Sequence, residues 1–131
     1  MAISRIKDYS DIDLDFIANP ITGDVVKKIG PDAVARSIRN LVMTNYYDRP
    51  FRSNIGSNAV KMLFENIGPL TAINLETAIA EVVNIFEPRA KLIGVKVKAD
   101  PDNNGYSAKI AFYVQNRPEP FQTTLFLERI R

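Results

Sequence analysis

The amino-acid sequence lacks cysteine, histidine and tryptophan altogether. Without cysteine there are no disulfides and no thiolate ligands for zinc, and without histidine there is no imidazole to act as a general base or to activate a serine. Any catalysis would therefore have to rest on carboxylates. The absence of tryptophan also removes the usual platform on which a sugar-binding site stacks its ligand.

Long apolar runs and a strong charge imbalance are missing as well. No segment approaches about 18 uninterrupted apolar residues, and the opening stretch MAISRIKDYSDIDLDF has no apolar signal-peptide region. The 17 Lys and Arg residues nearly balance the 15 Asp and Glu residues, which leaves a net charge of +2. That charge is too small for the broad positive field that non-specific nucleic-acid binding needs. We expect no membrane span and no nucleic-acid partner, and a protein made and used in a cytoplasm.

The length of 131 residues and the 46% hydrophobic content predict one compact domain. We expect residues 1–23 to form a polar N-terminal arm and residues 24–131 to form the domain. Asp11, Asp13 and Asp15 alternate with apolar residues in this arm. They lack the glycine and the distal glutamate of a calcium loop, so we expect a solvated arm and no metal site.

Helical periodicity dominates the first two thirds of the domain. DVVKKI is a candidate short strand, and Gly30-Pro31 opens a predicted helix over about residues 31–44. A short helix is predicted over SNAVKMLFEN, with Leu63 and Phe64 in its apolar stripe. Gly68-Pro69 ends it, and the clearest helix then runs from Thr71 to Phe86.

The last third of the chain alternates with the period of two that is typical of strands. A run through Leu92 and Val97 ends at DPDNNG, whose Asn-Gly supplies hairpin-turn conformations. The next run places Tyr106 and every second residue to Val114 on one face. With the final run FQTTLFLE these segments predict an antiparallel sheet of three or four strands, covered by two or three helices in an α+β fold.

The final run raises the question of an open sheet edge. It contains no proline and carries its charges only at its very end, so it is poorly protected against pairing with another chain. The candidate pairing residues are Phe121, Thr123, Thr124, Leu125 and Leu127. The alternative, weighed equally, is that this strand is central or covered in the fold.

The stretch Glu87-Pro88-Arg89 ends the long helix with a proline instead of a glycine. Its carboxylate and five-donor guanidinium could engage a partner from a rigid corner. Alternatively, Glu87 could pair with Arg89 inside the chain, or Arg89 could satisfy the last helical carbonyls.

Three other motifs leave alternatives open. Arg49, Pro50 and Phe51 form either a partner-binding loop or a loop in which Phe51 fills the core and Arg49 pairs locally. In LFEN, Leu63 and Phe64 are expected in the core. Glu65 and Asn66 are expected to order the following turn, and the Tyr46-Tyr47 pair is expected to pack at the rim of the core.

Several short stretches occur together in an order that resembles one known family: RSIRNLV, DRPF, MLFENIGPLTA, LETAI, FEPR and LIGVKV. The most specific are Arg49-Pro50-Phe51, LFEN and Glu87-Pro88-Arg89. Together they resemble the small baseplate wedge subunit of contractile tails. This is the sheath initiator of T-even-related myoviruses, which is also labelled a gene-25-like lysozyme and has relatives in type VI secretion baseplates. The resemblance runs from about Asp11 to the C-terminus.

The resemblance implies a structural protein that is not an enzyme and needs no cofactor. Its sheet would be similar to the strand-exchange domain of tail sheath proteins and would start the first sheath ring by accepting strands. Glu87, Pro88 and Arg89 would inherit the family's docking motif for the helical core bundle of the wedge. The implied partners are wedge core-bundle proteins and the tail sheath protein, with the tail tube and other baseplate proteins as further candidates. The implied location is the virion baseplate, after assembly in the host cytoplasm.

The family's label also raises a second hypothesis, a peptidoglycan hydrolase. Glycoside hydrolysis needs two carboxyl groups about 5 to 10 Å apart across a cleft. Glu65 and Glu87 are the two carboxylates in motif-like settings, and nothing in the sequence places them together. We therefore expect no lysozyme activity.

Overall fold

Within residues 9–115 and 117–129, which a computed structural model of the chain describes, two antiparallel sheets and three helices make up the fold. The elements in chain order are β1 (Ser10–Ile12), β2 (Lys27–Ile29), α1 (Pro31–Met43), α2 (Ala59–Met62), α3 (Pro69–Phe86), β3 (Ala90–Asp100), β4 (Gly105–Val114) and β5 (Pro120–Glu128). β1 pairs with β2, and β3, β4 and β5 lie in that order in the second sheet. The predicted α+β class and the C-terminal three-stranded sheet are confirmed.

Both long helices begin with a proline. Pro31 and Pro69 stand in the first turns of α1 and α3, where a residue without an N–H loses no intrahelical bond. The predicted helix over 31–44 is confirmed, and α3 begins two residues before the predicted Thr71. No described helix has both the length and the apolar character that a bilayer crossing requires.

The core lies between the helices and one face of the C-terminal sheet. That face of β4 is fully lined by buried side chains, as the alternation predicted: Tyr106, Ala108, Ile110, Phe112 and Val114. They pack in one cluster with Ile38 of α1 and with Leu75, Ile79 and Val83 of α3. The opposite face of the sheet is left uncovered by the described residues.

The prediction that Phe64 lies in the core is wrong. Helix α2 is a single turn that ends at Met62, so the helical stripe does not continue. Leu63 is buried at 1% exposure, whereas Phe64 is 60% exposed. Glu65 and Asn66 do order the turn before α3, because the Thr71 hydroxyl lies 3.4 Å from the Glu65 carboxylate and 3.3 Å from the carbonyl oxygen of Asn66.

The expectation that Asp13 is solvated is also wrong. β1 pairs with β2 in an antiparallel ladder, and this pairing brings Asp13 against the domain. Its carboxylate is buried 3.7 Å from Lys28 Nζ and 3.9 Å from Arg36 Nη2, while Asp11 and Asp15 are exposed as expected. The boundary of the arm at residue 23 stays a prediction, and residues 1–8 lie outside the described chain.

Candidate functional site

The last strand, β5, forms one edge of the C-terminal sheet. It pairs with β4 on one side and with no described strand on the other. Phe121, Thr123, Leu125 and Leu127 lie on the core side, and Thr124 is exposed on the outer face. Of the arrangements left open by the sequence, the structure therefore has the edge strand and not the central one.

The register of β5 decides which of its backbone groups point outward. Arg129 N donates to the carbonyl oxygen of Asn104 at 2.8 Å. Bonded and non-bonded pairs alternate along an antiparallel ladder, so Tyr106 and Leu127, two residues further along, are again a bonded pair. The N–H groups that point away from β4 are those of Gln122, Thr124, Phe126 and Glu128. An incoming strand would meet this row of donors.

The opposite edge of the sheet, on β3, is less accessible. Helix α3 lies against β3, and the carboxylate of Glu76 accepts a hydrogen bond from Val97 N at 2.9 Å. A β-bulge between Leu92 and Gly94 also interrupts the strand, and bulges make an edge a poor template for pairing. β5 is consequently the better acceptor of an added strand.

A groove runs beside the open edge, between β5 and α1. It is lined by Lys28, Asp32, Ala35, Arg36, Arg39, Thr123, Thr124 and Leu125. Arg36 is already paired with Asp15, with Nη2 2.8 Å from Oδ1, and this hydrogen bond lowers the pKa of Asp15. Among the described carboxylates, none lies within ion-pair distance of Arg39. Arg39 is therefore the cation of this groove that a partner would find available.

Glu87, Pro88 and Arg89 form the corner where α3 ends and β3 begins. Glu87 N makes the last helical bond, to Val83 O at 3.1 Å, and its side chain is buried at 3% exposure. The carboxylate accepts two hydrogen bonds from Arg89, Nε to Oε1 at 2.7 Å and Nη2 to Oε2 at 3.0 Å, and one from the Ser37 hydroxyl. The internal Glu87–Arg89 pair, one of the alternatives from the sequence, is therefore present.

The electrostatics of this corner favour the ionised pair. Burial acts to raise the pKa of Glu87, but the hydrogen bonds from Arg89 and Ser37 outweigh it and hold the pKa below its ordinary value of 4.5. The same contact raises the pKa of Arg89, whose guanidinium lies 5.2 Å from the centre of the Tyr9 ring. Both carboxylate oxygens are engaged within the chain. The corner presents outward the exposed Pro88 ring and the partly exposed Arg89 guanidinium.

The loop with Arg49, Pro50 and Phe51 displays all three side chains to solvent. Phe51 is fully exposed at φ 64°, and Tyr47 is 80% exposed at φ 72°. Aromatic residues rarely adopt this left-handed region, because the side chain then crowds the backbone. The alternative in which Phe51 fills the core is wrong, and the expected packing role holds for the half-buried Tyr46 but not for Tyr47.

The base of this loop is held by close backbone contacts. Gly56 lies so close to the chain at Asn45 that an added Cβ would come within 2.6 Å of the Asn45 carbonyl carbon. Ser57 N donates to Thr44 O at 2.8 Å, and the Ser57 hydroxyl donates to Val42 O at 2.7 Å. The two ends of the loop are therefore fixed against each other, while Phe51 lies exposed between them.

Three residues that shape these surfaces were not predicted from the sequence. Ser37 and Tyr9 complete the Glu87–Arg89 corner, and Glu76 blocks the β3 edge. Only Ser37 had a local signal in the sequence: it precedes Ile38 and so lies at the border of the apolar stripe by which α1 faces the core. Tyr9 and Glu76 gave no signal, because their partners are distant in the sequence.

The two glutamates considered for hydrolysis are not neighbours. The Glu65 carboxylate lies near the Thr71 hydroxyl, 3.4 Å away, in the first turn of α3, whereas Glu87 follows the last residue of that helix. Sixteen residues at 1.5 Å each separate the two ends by about 24 Å. That distance is too large for the carboxylate pair of a glycosidase.

Comparison with known proteins identifies relatives over most of the chain. The family model of the baseplate wedge protein gp25 matches residues 30–119. The baseplate wedge protein gp25 of Enterobacteria phage T4 is 31% identical over 114 residues, which cover 87% of this chain and 86% of the T4 protein.

Solved structures have the same fold at lower sequence identity. A protein from Geobacter sulfurreducens that carries the name tail lysozyme superposes with a TM-score of 0.69 at 21% identity, covering 75% of this chain and 89% of that one. A chain of the anti-feeding prophage baseplate gives a TM-score of 0.59 at 24% identity, covering 95% of this chain and 88% of that one.

Proposed function

This chain belongs to the baseplate wedge protein gp25 family, and we propose that it starts the contractile sheath by accepting strands from sheath subunits at the edge of β5. Membership makes it a wedge protein of contractile tail systems. The observation that supports the strand-accepting role is the difference between the two sheet edges. β5 offers a row of outward N–H groups, whereas Glu76 and the β-bulge obstruct β3.

An added strand would lie about 4.8 Å from β5, in the groove that α1 borders. Its main-chain bonds to the outward groups of Gln122, Thr124, Phe126 and Glu128 would supply affinity. Side chains on alternate positions would meet Arg39 on one face and solvent on the other. Arg39 therefore favours an acidic residue at the matching position of the incoming strand.

Hydrogen exchange of the β5 amides tests this role directly. In the isolated chain we expect the amides of Gln122, Thr124, Phe126 and Glu128 to exchange rapidly, because their N–H groups point away from β4. In the assembled tail they should be protected, since an added strand would accept their hydrogen bonds. The amides of Thr123 and Leu125 serve as internal controls and should be protected in both states. Rapid exchange of the first set in the assembled tail would contradict strand addition at β5.

The Glu87-Pro88-Arg89 corner is our proposed docking site for the helical core bundle of the wedge. In this proposal Glu87 is a positioning residue, because both of its oxygens are engaged by Arg89 and Ser37. The contact itself would be made by the Pro88 ring and by the Arg89 N–H groups outside the internal pair. A corner already fixed by that pair lowers the entropy cost of docking.

The loop of Arg49, Pro50 and Phe51 supplies a second proposed wedge contact. A fully exposed phenylalanine on a backbone held at its base is typical of an interface anchor. Residues 24–131 would then act as one connector, with docking surfaces for wedge core-bundle proteins and for sheath. The tail tube and other baseplate proteins are further candidate partners. The proposed location is the virion baseplate, with assembly in the host cytoplasm.

A peptidoglycan hydrolase is the second candidate, favoured by the name of the Geobacter sulfurreducens protein. The separation of Glu65 and Glu87 at opposite ends of α3 argues against a carboxylate pair. In addition, Glu87 has a lowered pKa, whereas a general acid needs a raised one.

We expect the purified chain to leave a peptidoglycan suspension turbid. The assay should compare the wild type with the Glu65→Gln and Glu87→Gln variants and with a known lysozyme as positive control. All three chains should give the baseline rate, because Glu65 and Glu87 lie too far apart to act as the carboxylate pair of a glycosidase. Clearing by the wild type that either substitution abolishes would show that the chain is a hydrolase.

A further inference from the structure

The uncovered face of the C-terminal sheet carries an unusual arrangement of lysines. Lys96 of β3 stands directly opposite Lys109 of β4 in the strand register, and Lys98 follows two residues along on the same face. Lys91 lies further along β3, opposite Tyr113. No described residue forms an ion pair with any of these four lysines.

A directly opposed Lys–Lys pair is unfavourable for the sheet itself. Opposed residues on adjacent strands lie about 5 Å apart, and like charges at that distance repel. Lysines on an edge strand often protect it from aggregation. That explanation applies to β3 but not to Lys109, because β4 is the central strand. Edge protection therefore does not explain the position of Lys109.

The same face has a shallow apolar depression beside the lysines. Gly94, which has no side chain, and Ala111, which has only a methyl group, are opposite each other in the register and form the floor. The walls are Ile93, Val95, Lys96, Lys98, Lys109 and Gln122. An added Cβ on Gly94 would meet nothing within 4 Å, so the space above it is open.

We propose that this basic face, defined by Lys96, Lys98, Lys109 and the depression over Gly94 and Ala111, docks an acidic segment of another baseplate protein. Carboxylates of that segment would lie between Lys96 and Lys109 and remove their repulsion. An apolar side chain flanked by those carboxylates would occupy the depression. The carboxylates on this face of the sheet, Asp100 and Glu128, lie at its hairpin end and leave the centre basic.

The depression favours a protein over a nucleic acid as the occupant. A phosphate backbone has no apolar group to place over Gly94 and Ala111, and the net charge of +2 gives little general attraction for DNA. The surface is centred on the lysines of β3 and β4; of its lining residues, Gln122 belongs to the β5 edge and none belongs to the Glu87–Arg89 corner. It can therefore be tested without assuming either of those roles.

Carbodiimide cross-linking of the assembled baseplate would identify the occupant, because this reagent joins amines to carboxylates in contact. We expect Lys96 and Lys109 to be linked to Asp or Glu residues of a neighbouring protein. Lys61, an exposed lysine on α2, is the control and should stay unlinked. If Lys96 and Lys109 remain as open to acetylation in the particle as in the free chain, the proposal is overturned.

A charge reversal separates binding from folding on this face. Lys96→Glu places a carboxylate opposite Lys109, so the unfolding equilibrium constant should fall by about two- to fivefold. The same variant should be incorporated into baseplates about tenfold less well than the wild type in competition, because it repels the acidic segment. Gly94→Leu leaves the charge unchanged but fills the depression, so it should also reduce incorporation into baseplates. Incorporation of both variants at the wild-type level would overturn the proposal, as would duplex DNA binding to the wild type that Lys96→Glu abolishes.

Discussion

A chain with proline in place of Thr124 is expected to fold normally and to fail to start a sheath. The N–H of Thr124 points away from β4, so the substitution removes no bond of the β4–β5 ladder. Proline is tolerated on an edge strand at such a position. It would, however, remove a donor from the row offered to an added strand and place its ring where that strand would lie.

The expected effect of Thr124→Pro on stability is small, and its expected effect on sheath assembly is large. The free energy of unfolding should change by less than about 1 kcal/mol, as for other exposed sites, which urea unfolding can check. The fraction of tails that carry a sheath should fall by about tenfold or more, since the lost hydrogen bond and the clash together cost at least about 1.4 kcal/mol per contact. Electron microscopy of assembled tails measures that fraction. Co-purification with wedge proteins should be unchanged.

Two matched variants make the result specific. Thr124→Val keeps the N–H and suits a strand, so sheath assembly should be normal. Thr123→Pro removes an N–H that bonds to β4, and unfolding should become easier by about 2 kcal/mol. If Thr124→Pro also unfolds the chain, the assigned register is wrong. If it assembles normal sheaths, β5 is not the accepting edge.

The elements of this fold that could be predicted are those with a local signal. The 3.6-residue and two-residue apolar periods identified α1, α3 and the three C-terminal strands, and Pro31, Gly68 and Asn104-Gly105 marked where several of them begin or end. Short hairpin connections also forced the order β3-β4-β5. Helix α2 had a weaker signal because it is one turn long, and Phe64, which follows it, was wrongly predicted to lie in the core.

The features that could not be predicted depend on contacts between distant parts of the chain. Ser37 reaches Glu87 across 50 residues of sequence, and Glu76 reaches Val97 across 21. Asp13 is buried only because β1 folds back onto β2. The sequence identified Glu87 and Arg89 as a motif and allowed an internal pair. The burial that makes this pair energetically important follows from packing alone.

Removal of the Arg89 side chain is expected to be strongly destabilising. Arg89→Ala leaves the buried Glu87 carboxylate with the Ser37 hydroxyl as its remaining side-chain donor, and an uncompensated buried charge costs about 3 kcal/mol. Glu87→Gln should cost about 1–2 kcal/mol, because the partly exposed guanidinium can turn to water. Urea unfolding of both single variants and of the double variant gives the coupling energy. Equal costs for the two single changes would show that the buried charge is not the source of the loss.

The contribution of Glu87 to the free energy of unfolding should depend on pH in opposite directions in Arg89→Ala and in the wild type. In the wild type the pKa of Glu87 lies below its ordinary value, so the stabilisation is complete above the unfolded-state pKa of 4.5 and is lost as the pH falls through the folded-state pKa. Without Arg89, burial dominates and should raise the pKa of Glu87 above 4.5. The variant then gains relative stability as the pH falls, because its folded state binds the proton more tightly. The difference in unfolding free energy should narrow from pH 7 to about pH 4.

Arg89→Lys separates this structural role from docking on the wedge. A lysine ammonium keeps a positive charge beside Glu87, so most of the stability and the acid response should be retained. It lacks the guanidinium N–H groups outside the internal pair, which are the part of Arg89 that would reach a partner. We expect a folded chain that co-purifies with wedge proteins about tenfold less well, a loss of about 1.4 kcal/mol of binding free energy. If Arg89→Lys co-purifies as well as the wild type and only the destabilised Arg89→Ala chain binds weakly, Arg89 serves folding alone. Pro88 and the loop of Arg49, Pro50 and Phe51 would then be the wedge contacts to test.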